Sequence, residues 1–234
     1  MGKIYAMGDT HGDWRTVNTL CENMTEQDVV IHVGDHGVNF YGNGRDEHLK
    51  NKMKKMKPTF ILISGNHDRP IVDYNYETID IDNEIIKGQF YYEPNYPKIL
   101  HCPLISEFFI SEKKFLTFGG AYSIDKDFRL KMGWHWFVKE QIPQDQMDKF
   151  KKTNKGISTD YIISHTCPKK YEPKHLFLPF VDQSGVDKRT EEFLNWVDEN
   201  INYKQWYFGH FHANEQLWDK GYMIFENIKE IDAF

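Results

Sequence analysis

The stretch Gly65-Asn66-His67-Asp68 places side by side three side chains that could bind a metal ion or move a proton. Asn66 offers a neutral amide oxygen to a metal, and the imidazole of His67 can act as an acid or a base near neutral pH. The carboxylate of Asp68 could orient that imidazole. Taken alone, the stretch is equally consistent with an ordinary polar turn.

Four other stretches carry matching chemistry, which changes that balance. They are Gly8-Asp9-Thr10-His11-Gly12, Gly34-Asp35-His36-Gly37, Ser164-His165-Thr166 and Gly209-His210-Phe211-His212. With average residue usage, the three tightest motifs would occur in this order on the order of once in a million sequences or less. Oxygen and imidazole ligands without thiolates suit manganese, iron, zinc or nickel and disfavour iron–sulfur chemistry. Together the five stretches predict a metal site.

Each of these stretches follows a short apolar run that predicts a buried β-strand. The runs cover residues 3–7, 29–33, 59–64, 161–163 and 205–208. Apolar residues at helical spacing predict helices over 14–24 and 48–57, between the first three strands. This alternation of strand and helix indicates right-handed crossovers and a largely parallel sheet, with the polar turns at the strand ends.

The middle of the chain has a different pattern. Between residues 79 and 118, closely spaced β-leaning runs are joined by short polar turns such as 111–113, which predicts antiparallel hairpins and a second sheet. Residues 123–137 are a candidate loop or lid, and helices are expected over 138–151 and 186–200. Because the sequence has no internal repeat and no linker, we expect residues 1–234 to form a single domain.

The ordered motifs resemble the calcineurin-like metallophosphoesterase superfamily in its bacterial or phage-type form, whose blocks read GDxH, GDxx, GNH[DE], H and GHxH. The resemblance extends from Gly8 to His212. It implies an α/β fold, a four-layer α/β/β/α sandwich of two mixed β-sheets flanked by helices. It also implies two divalent or trivalent transition-metal ions, with manganese as the first expectation and iron, zinc or nickel as alternatives. One ion would be bound by Asp9, His11 and His212 and the other by Asn66, His165 and His210, with Asp35 bridging them.

The same resemblance implies a chemistry for these residues, the hydrolysis of phosphomonoesters or phosphodiesters by a hydroxide that bridges the two ions. Two ions roughly 3.5–4 Å apart can clamp a phosphoryl group and stabilise the charge of an in-line displacement. His67 would lie outside the metal ligands as a general acid toward the leaving oxygen, or as an electrostatic clamp on phosphate. Asp68 would be its catalytic partner.

The second block departs from the GDxxDRG pattern of the phosphoprotein phosphatases, because the segment 34–40 lacks the second carboxylate and the arginine. This argues against a serine/threonine phosphatase. Arg69 or Arg129 could substitute, because a guanidinium fork suits phosphate, although each is as readily a plain surface arginine. We expect the substrate cleft to be walled by Tyr122, Arg129, Trp134 and Trp136, with the alternative that both tryptophans belong to the core.

Composition limits the other classes of function. A net charge of −6, from 29 basic and 35 acidic residues, argues against a general nucleic-acid coat protein. No long apolar segment predicts a membrane span, no signal peptide precedes the first strand, and three distant cysteines imply no disulfide framework, so we expect a cytoplasmic protein. The expected substrate is a phosphorylated small molecule, a nucleotide or a phosphoprotein. The alternatives are a metal-dependent nuclease, with nucleic acid as substrate only, and a non-catalytic scaffold on the same fold.

Overall fold

A computed structural model describes residues 1–74, 76–177, 179 and 182–233. Within these residues the chain forms five α-helices: α1 (Trp14–Leu20), α2 (Gly44–Met53), α3 (Lys126–Met132), α4 (Gln144–Asn154) and α5 (Arg189–Asn200). The same residues form thirteen strands: β1 (Lys3–Met7), β2 (Val29–His32), β3 (Thr59–Leu62), β4 (Glu77–Asp82), β5 (Ile86–Tyr92), β6 (Ile99–His101), β7 (Ile105–Ile110), β8 (Lys113–Phe118), β9 (Tyr161–Ser164), β10 (Gln205–Phe208), β11 (Glu215–Trp218), β12 (Gly221–Met223) and β13 (Ile228–Ala233). No helix of this described part is long and apolar enough to cross a membrane.

All thirteen strands in the described residues belong to one curled mixed sheet, in the order β11-β12-β10-β9-β8-β7-β5-β6-β3-β2-β1-β13, with β4 paired to β5. The predicted parallel pairing of β1, β2 and β3 is present, and the expected hairpins are β4–β5 and β7–β8. The expected separation into two sheets is not found, because β5 joins the two halves. It pairs with β7 through residues 86–88 and with β6 through Tyr91 and Tyr92.

The two halves of the sheet share one apolar cluster. Ile31 and Ile61 of the first half belong to the same buried cluster as Phe115 and Ile163 of the second half. Successive side chains of a strand point to opposite faces, and β2, β3 and β9 are buried at nearly every position, so they must be covered on both sides. The outer faces are therefore covered by helices: α1 and α2 pack on the first half, and α4 and α5 on the second.

The helices begin and end at different residues than their apolar spacing predicted. The second helix begins at Gly44 instead of residue 48, because the side chain of Asn43 accepts a hydrogen bond from the Arg45 backbone N–H and caps it. The helix expected from residue 138 begins only after Pro143. The candidate lid was expected to be a loop, and it contains a further short helix, α3.

Candidate metal centre

The turns that follow β1, β2, β3, β9 and β10 meet at one place, and they bring all seven predicted ligands together. Potential ligand atoms of Asp9, Asp35 and His165 all lie within 4.8 Å of one another. The same limit holds for the group Asp9, His11 and His212. Residues from five separate strand ends thus form one cluster of carboxylate, imidazole and amide groups.

Short distances join residues within each of the two expected sets. In one set, Nε2 of His212 lies 3.0 Å from Nε2 of His11 and 3.7 Å from Oδ2 of Asp9. In the other set, Oδ1 of Asn66 lies 2.8 Å from Nε2 of His165 and 3.1 Å from Nδ1 of His210.

Asp35 lies between the two sets. Its Oδ2 atom is 3.9 Å from Nε2 of His11, a member of the first set, and 3.6 Å from Nε2 of His165, a member of the second. Its Oδ1 atom accepts a hydrogen bond of 2.8 Å from the backbone N–H of His67. Asp9 also approaches both sets, at 3.7 Å from His212 and 3.7 Å from Nδ1 of His165. Asp35, however, faces Nε2 of both His11 and His165, which is the position that a bridging ligand requires.

The burial of the carboxylates fits a pair of bound cations. Asp9 is fully buried, and its Oδ1 atom has no hydrogen-bond partner among the described residues. Burial raises the pKa of both Asp9 and Asp35 well above the ordinary range of an aspartate. A buried carboxylate without compensation is costly, and a cation at this position would supply the missing partner.

The hydrogen bonding and the charge state of the histidine rings also favour metal binding. Nδ1 of His165 donates a hydrogen bond of 3.0 Å to the carbonyl oxygen of Val33, which leaves Nε2 free to act as a ligand. Burial lowers the pKa of His165 to about 3 and that of His11 to about 4. Both rings are therefore neutral near neutral pH, the state in which histidine binds metals. The donor set of oxygen and imidazole nitrogen thus fits transition-metal ions.

Several of these ligands lie in an unusual backbone conformation. The φ angle is 45° at His11, 51° at Asp35, 72° at His210 and 54° at His212. Such left-handed conformations are uncommon for residues other than glycine, and each one lowers the stability of the folded state by on the order of 1–3 kcal/mol. Residues in such conformations cluster at functional sites. Gly65 is required for a different reason, because a Cβ atom there would lie 2.0 Å from Oδ1 of Asp35.

The ring of His67 faces Arg129 instead of Asp68. The Arg129 guanidinium donates to Nδ1 of His67, while its own Nε donates to Oδ2 of Asp125 at 2.7 Å. Burial, followed by the charge of Arg129, lowers the pKa of His67 to about 2. A neutral ring that accepts at Nδ1 carries its proton on Nε2, so His67 can offer an N–H donor.

The carboxylate of Asp68 has a structural task. It accepts hydrogen bonds from the backbone N–H groups of Gly65 at 2.8 Å, Gly37 at 3.0 Å and His36 at 3.3 Å. These bonds join the turn after β2 to the turn after β3. Within the described residues no hydrogen bond connects Asp68 to the His67 ring, so the geometry does not support the expectation that Asp68 orients it.

A cavity of about 160 Å³ lies beside the cluster. His11, Asp35, His67 and Arg129 line one part of it, and Phe40, Tyr41 and Leu49 line another. Of the four residues expected to wall the cleft, only Arg129 does so. The three apolar residues were missed, although the pair Phe40-Tyr41, directly after the second motif, was a visible signal.

The other predicted substrate-binding residues lie elsewhere. Arg69 donates to the carbonyl oxygen of Phe40 at 3.3 Å and lies over the ring of Tyr74, so it supports the cavity wall from outside. Trp134 is 54% exposed, and Tyr122 is half-buried without lining the cavity. Trp136 donates from Nε1 to Glu140. Neither tryptophan is a fully buried core residue.

Comparison with known proteins agrees with the motifs. A family model described as Calcineurin-like phosphoesterase matches residues 2–214, a range that includes all seven candidate ligands and His67. The match confirms the resemblance and implies a metallophosphatase fold for the curled sheet. No curated protein matches the chain significantly.

Proposed function

The chain belongs to the calcineurin-like phosphoesterase family of metal-dependent hydrolases, and from this premise we propose that it hydrolyses phosphate esters with two metal ions. Asp9, His11 and His212 would hold one ion, Asn66, His165 and His210 the other, and Asp35 both. The ions, when bound, would clamp the phosphoryl group and activate water. Manganese stays the first expectation and iron, zinc or nickel the alternatives, because oxygen and imidazole donors suit these metals.

The position of Asp35 is the observation that carries this proposal. It is 2% exposed, and one of its oxygens lies within 3.9 Å of a histidine from each set. A single ion would need only one of these sets. A carboxylate placed between two complete sets is the arrangement that two neighbouring ions require.

Arg129 and His67 would act on the substrate. The side chain of Arg129 is 13% exposed and lines the cavity, so its charge lies where a phosphate beside Asp35 would bind. It would replace the arginine absent from the second block. We propose that the neutral His67 ring donates a hydrogen bond from Nε2 to the phosphate. Its low pKa favours this clamp over the general acid suggested by the sequence.

The cavity favours a small ester. Its volume of about 160 Å³ resembles that of an engineered cavity of about 150 Å³ that binds benzene. Its far wall, formed by Phe40, Tyr41 and Leu49, carries no charge. We therefore propose a phosphomonoester with a compact apolar or aromatic leaving group as the preferred substrate class.

A nuclease is the second candidate, and one observation favours it. An open groove continues from the cavity past His11 and Leu49, and Arg15 and Lys52 line it. Two positively charged side chains along such a groove could contact the phosphates that flank a scissile diester. Arg15 is largely exposed and already pairs with Asp13 at 3.5 Å, which makes this candidate the weaker one. The complete ligand cluster argues against a non-catalytic scaffold.

A substrate panel tests the proposal. Phosphomonoesters, cyclic nucleotides and oligonucleotides would be incubated with the manganese-loaded protein and with the Asp35→Asn variant. We expect hydrolysis of monoesters by the wild-type protein and its loss in the variant. Failure of the loaded, folded wild-type protein to hydrolyse any member of the panel would refute the proposal, and preference for oligonucleotides would favour the nuclease.

Three further assignments rest on the fold. We propose that the two halves of the sheet and their covering helices form the four layers α/β/β/α, since both halves share one inner cluster. One ladder of strands connects them, which supports a single domain. Cys21, Cys102 and Cys167 are free and buried, which supports the cytoplasm as the compartment.

A further inference from the structure

The carboxylate of Glu140 is buried near the proposed metal centre, although its sequence context indicated no role. It is 5% exposed and accepts three hydrogen bonds. Ser123 donates its backbone N–H at 3.0 Å and its hydroxyl at 2.6 Å, and Trp136 donates Nε1–H at 2.8 Å. A buried carboxylate with three good donors is strongly held and strongly orients its partners.

The bond from Ser123 continues to a proposed metal ligand. The Ser123 hydroxyl gives its only proton to Glu140, so toward Asn66 it can act only as an acceptor. Nδ2 of Asn66 donates to it at 2.9 Å. This hydrogen bond identifies the amide nitrogen as the atom that faces Ser123. It therefore directs Oδ1 of Asn66 toward His165 and His210.

The hydrogen bond from Trp136 connects Glu140 to the segment that carries Arg129. The segment between Ser123 and Trp136 contains α3 and carries Arg129, whose guanidinium contacts His67. The apolar side chains of α3 contribute little packing, because Phe128 and Leu130 are each 53% exposed. The segment therefore depends on polar contacts, and Glu140 receives a hydrogen bond from each of its ends.

Glu140 is itself held against a rigid element. A Cβ atom at Gly120, two residues after β8, would lie 2.2 Å from the carbonyl oxygen of Glu140. The backbone N–H of Gly120 also donates to the carbonyl oxygen of Ser64 at 2.7 Å, next to the turn that bears Asn66. The backbone of Glu140 thus packs closely on a glycine that is bonded to the end of β3, and a positioning group requires such a rigid support.

We propose that Glu140 is a positioning residue with two effects: through Ser123 it orients the Asn66 amide toward its metal ion, and through Trp136 it holds the segment that carries Arg129. The roles of Asn66 and Arg129 rest on the proposed function. One buried carboxylate would thereby hold both a metal ligand, Asn66, and a proposed substrate-binding residue, Arg129, in position.

Variants separate the two effects. Ser123→Ala removes the contact with Asn66, and Ser106→Ala, a buried serine of β7, is its matched control. Trp136→Phe removes the other contact, and Trp134→Phe, an exposed tryptophan of the same segment, controls for it. Glu140→Gln keeps the shape of the side chain and weakens both contacts, so it tests the proposal even where Ser123→Ala does not fold.

Two readouts other than activity measure the effects. Calorimetric titration of the metal-free protein with Mn²⁺ should show that Ser123→Ala and Glu140→Gln weaken one of the two sites roughly 10–100-fold, the range seen for groups that orient metal ligands. Trypsin should cleave faster at Lys126, Arg129 or Lys131 in Trp136→Phe and Glu140→Gln, because a loosened segment opens locally. Both control variants should match the wild-type protein.

The outcomes distinguish this proposal from the proposed function. Unchanged Mn²⁺ affinities and unchanged cleavage in a folded Glu140→Gln protein would overturn the positioning role. A wild-type protein that binds two Mn²⁺ ions but hydrolyses no ester would refute the proposed function, while the Mn²⁺ and trypsin results would still decide the role of Glu140. A wild-type protein that binds neither Mn²⁺ nor Fe²⁺, Zn²⁺ or Ni²⁺ would refute the proposed function and the first effect of Glu140, while the trypsin result would still decide the second.

Discussion

The Arg129 guanidinium donates a hydrogen bond to Nδ1 of His67, across 62 residues of sequence. This contact connects the short helix α3 to the turn after β3 and places a fixed positive charge beside a histidine at the edge of the metal cluster. Burial and that charge lower the pKa of the ring to about 2, so His67 is neutral over the working range of most enzymes.

Replacing Arg129 by Ala should weaken catalysis without removing metal. We expect kcat/KM to fall by roughly 10²-fold, as for loss of one charge-stabilising donor, while metal content stays the same. Removing the charge should also raise the pKa of His67, because a neighbouring cation disfavours the protonated ring. The pH dependence of kcat/KM and an NMR titration of the ring test both points, with Arg189→Ala as a surface control. An unchanged kcat/KM toward every substrate would exclude Arg129 from the site.

The variant His67→Ala distinguishes a phosphate clamp from a general acid. A neutral ring that donates a hydrogen bond to the phosphate contributes in the same way to every substrate. We therefore expect activity to fall by a similar factor, roughly 10²–10³-fold, on alkyl and nitrophenyl phosphates. A much larger loss on alkyl phosphates would instead identify a general acid, since nitrophenolate leaves readily without a proton. Metal analysis of the same variant gives the control: a missing ion would make His67 a ligand.

Gly65→Ala should destroy the metal centre although it adds only a methyl group. The new Cβ atom would meet Oδ1 of Asp35 at 2.0 Å, so the carboxylate or the turn must move. We expect loss of at least one Mn²⁺ site by calorimetric titration and a lower Tm. Gly44→Ala is the matched control, because a Cβ atom at this first residue of α2 meets nothing within 4 Å. That substitution should be neutral or stabilise the protein by up to about 1 kcal/mol. Normal metal binding by Gly65→Ala would show that the turn tolerates the displacement.

Glu191 should make the protein less stable as the pH rises. The side chain is 2% exposed, and burial raises its pKa from 4.5 to about 7. The folded state therefore binds this proton more tightly than the unfolded state, so stability is fully present below pH 4.5 and decreases as the pH rises toward 7.

Glu191→Gln should remove this dependence. We expect the variant to melt higher than the wild-type protein at pH 8, by roughly 2–4 °C for each kcal/mol recovered, and to lose the advantage at pH 5. Glu192→Gln, the exposed neighbour, should leave the Tm profile unchanged. A Tm difference for Glu191→Gln that is the same at both pH values would contradict the assignment.

The meeting of the seven candidate ligands could be predicted from the sequence, because each of them lies in a polar turn directly after an apolar strand. Local signals of this kind survive folding, since strand ends such as those before Asp9 and Asn66 are set by short runs of residues. The left-handed backbone at His11 and His212 could not be predicted, because it is imposed by packing between distant turns.

The cavity and the joined sheet were unpredictable for a related reason. Leu49 of α2 and Arg129 of α3 line one cavity although they are 80 positions apart in the sequence. No local sequence pattern predicts that two such distant residues lie close together. Likewise, β5 joins the halves of the sheet by pairing at its two ends with different strands. Glu140 looked like one more charge in a polar segment, because its three donors approach only in the folded chain.

Electron paramagnetic resonance of the Mn²⁺-loaded protein tests most directly whether two neighbouring ions share Asp35. We expect two Mn²⁺ per chain and the spectrum of an exchange-coupled pair, because ions held by one carboxylate lie roughly 3.5–4 Å apart. In Asp35→Asn the coupled signal should disappear. One ion per chain, or two ions with only the spectrum of isolated Mn²⁺, would contradict the account.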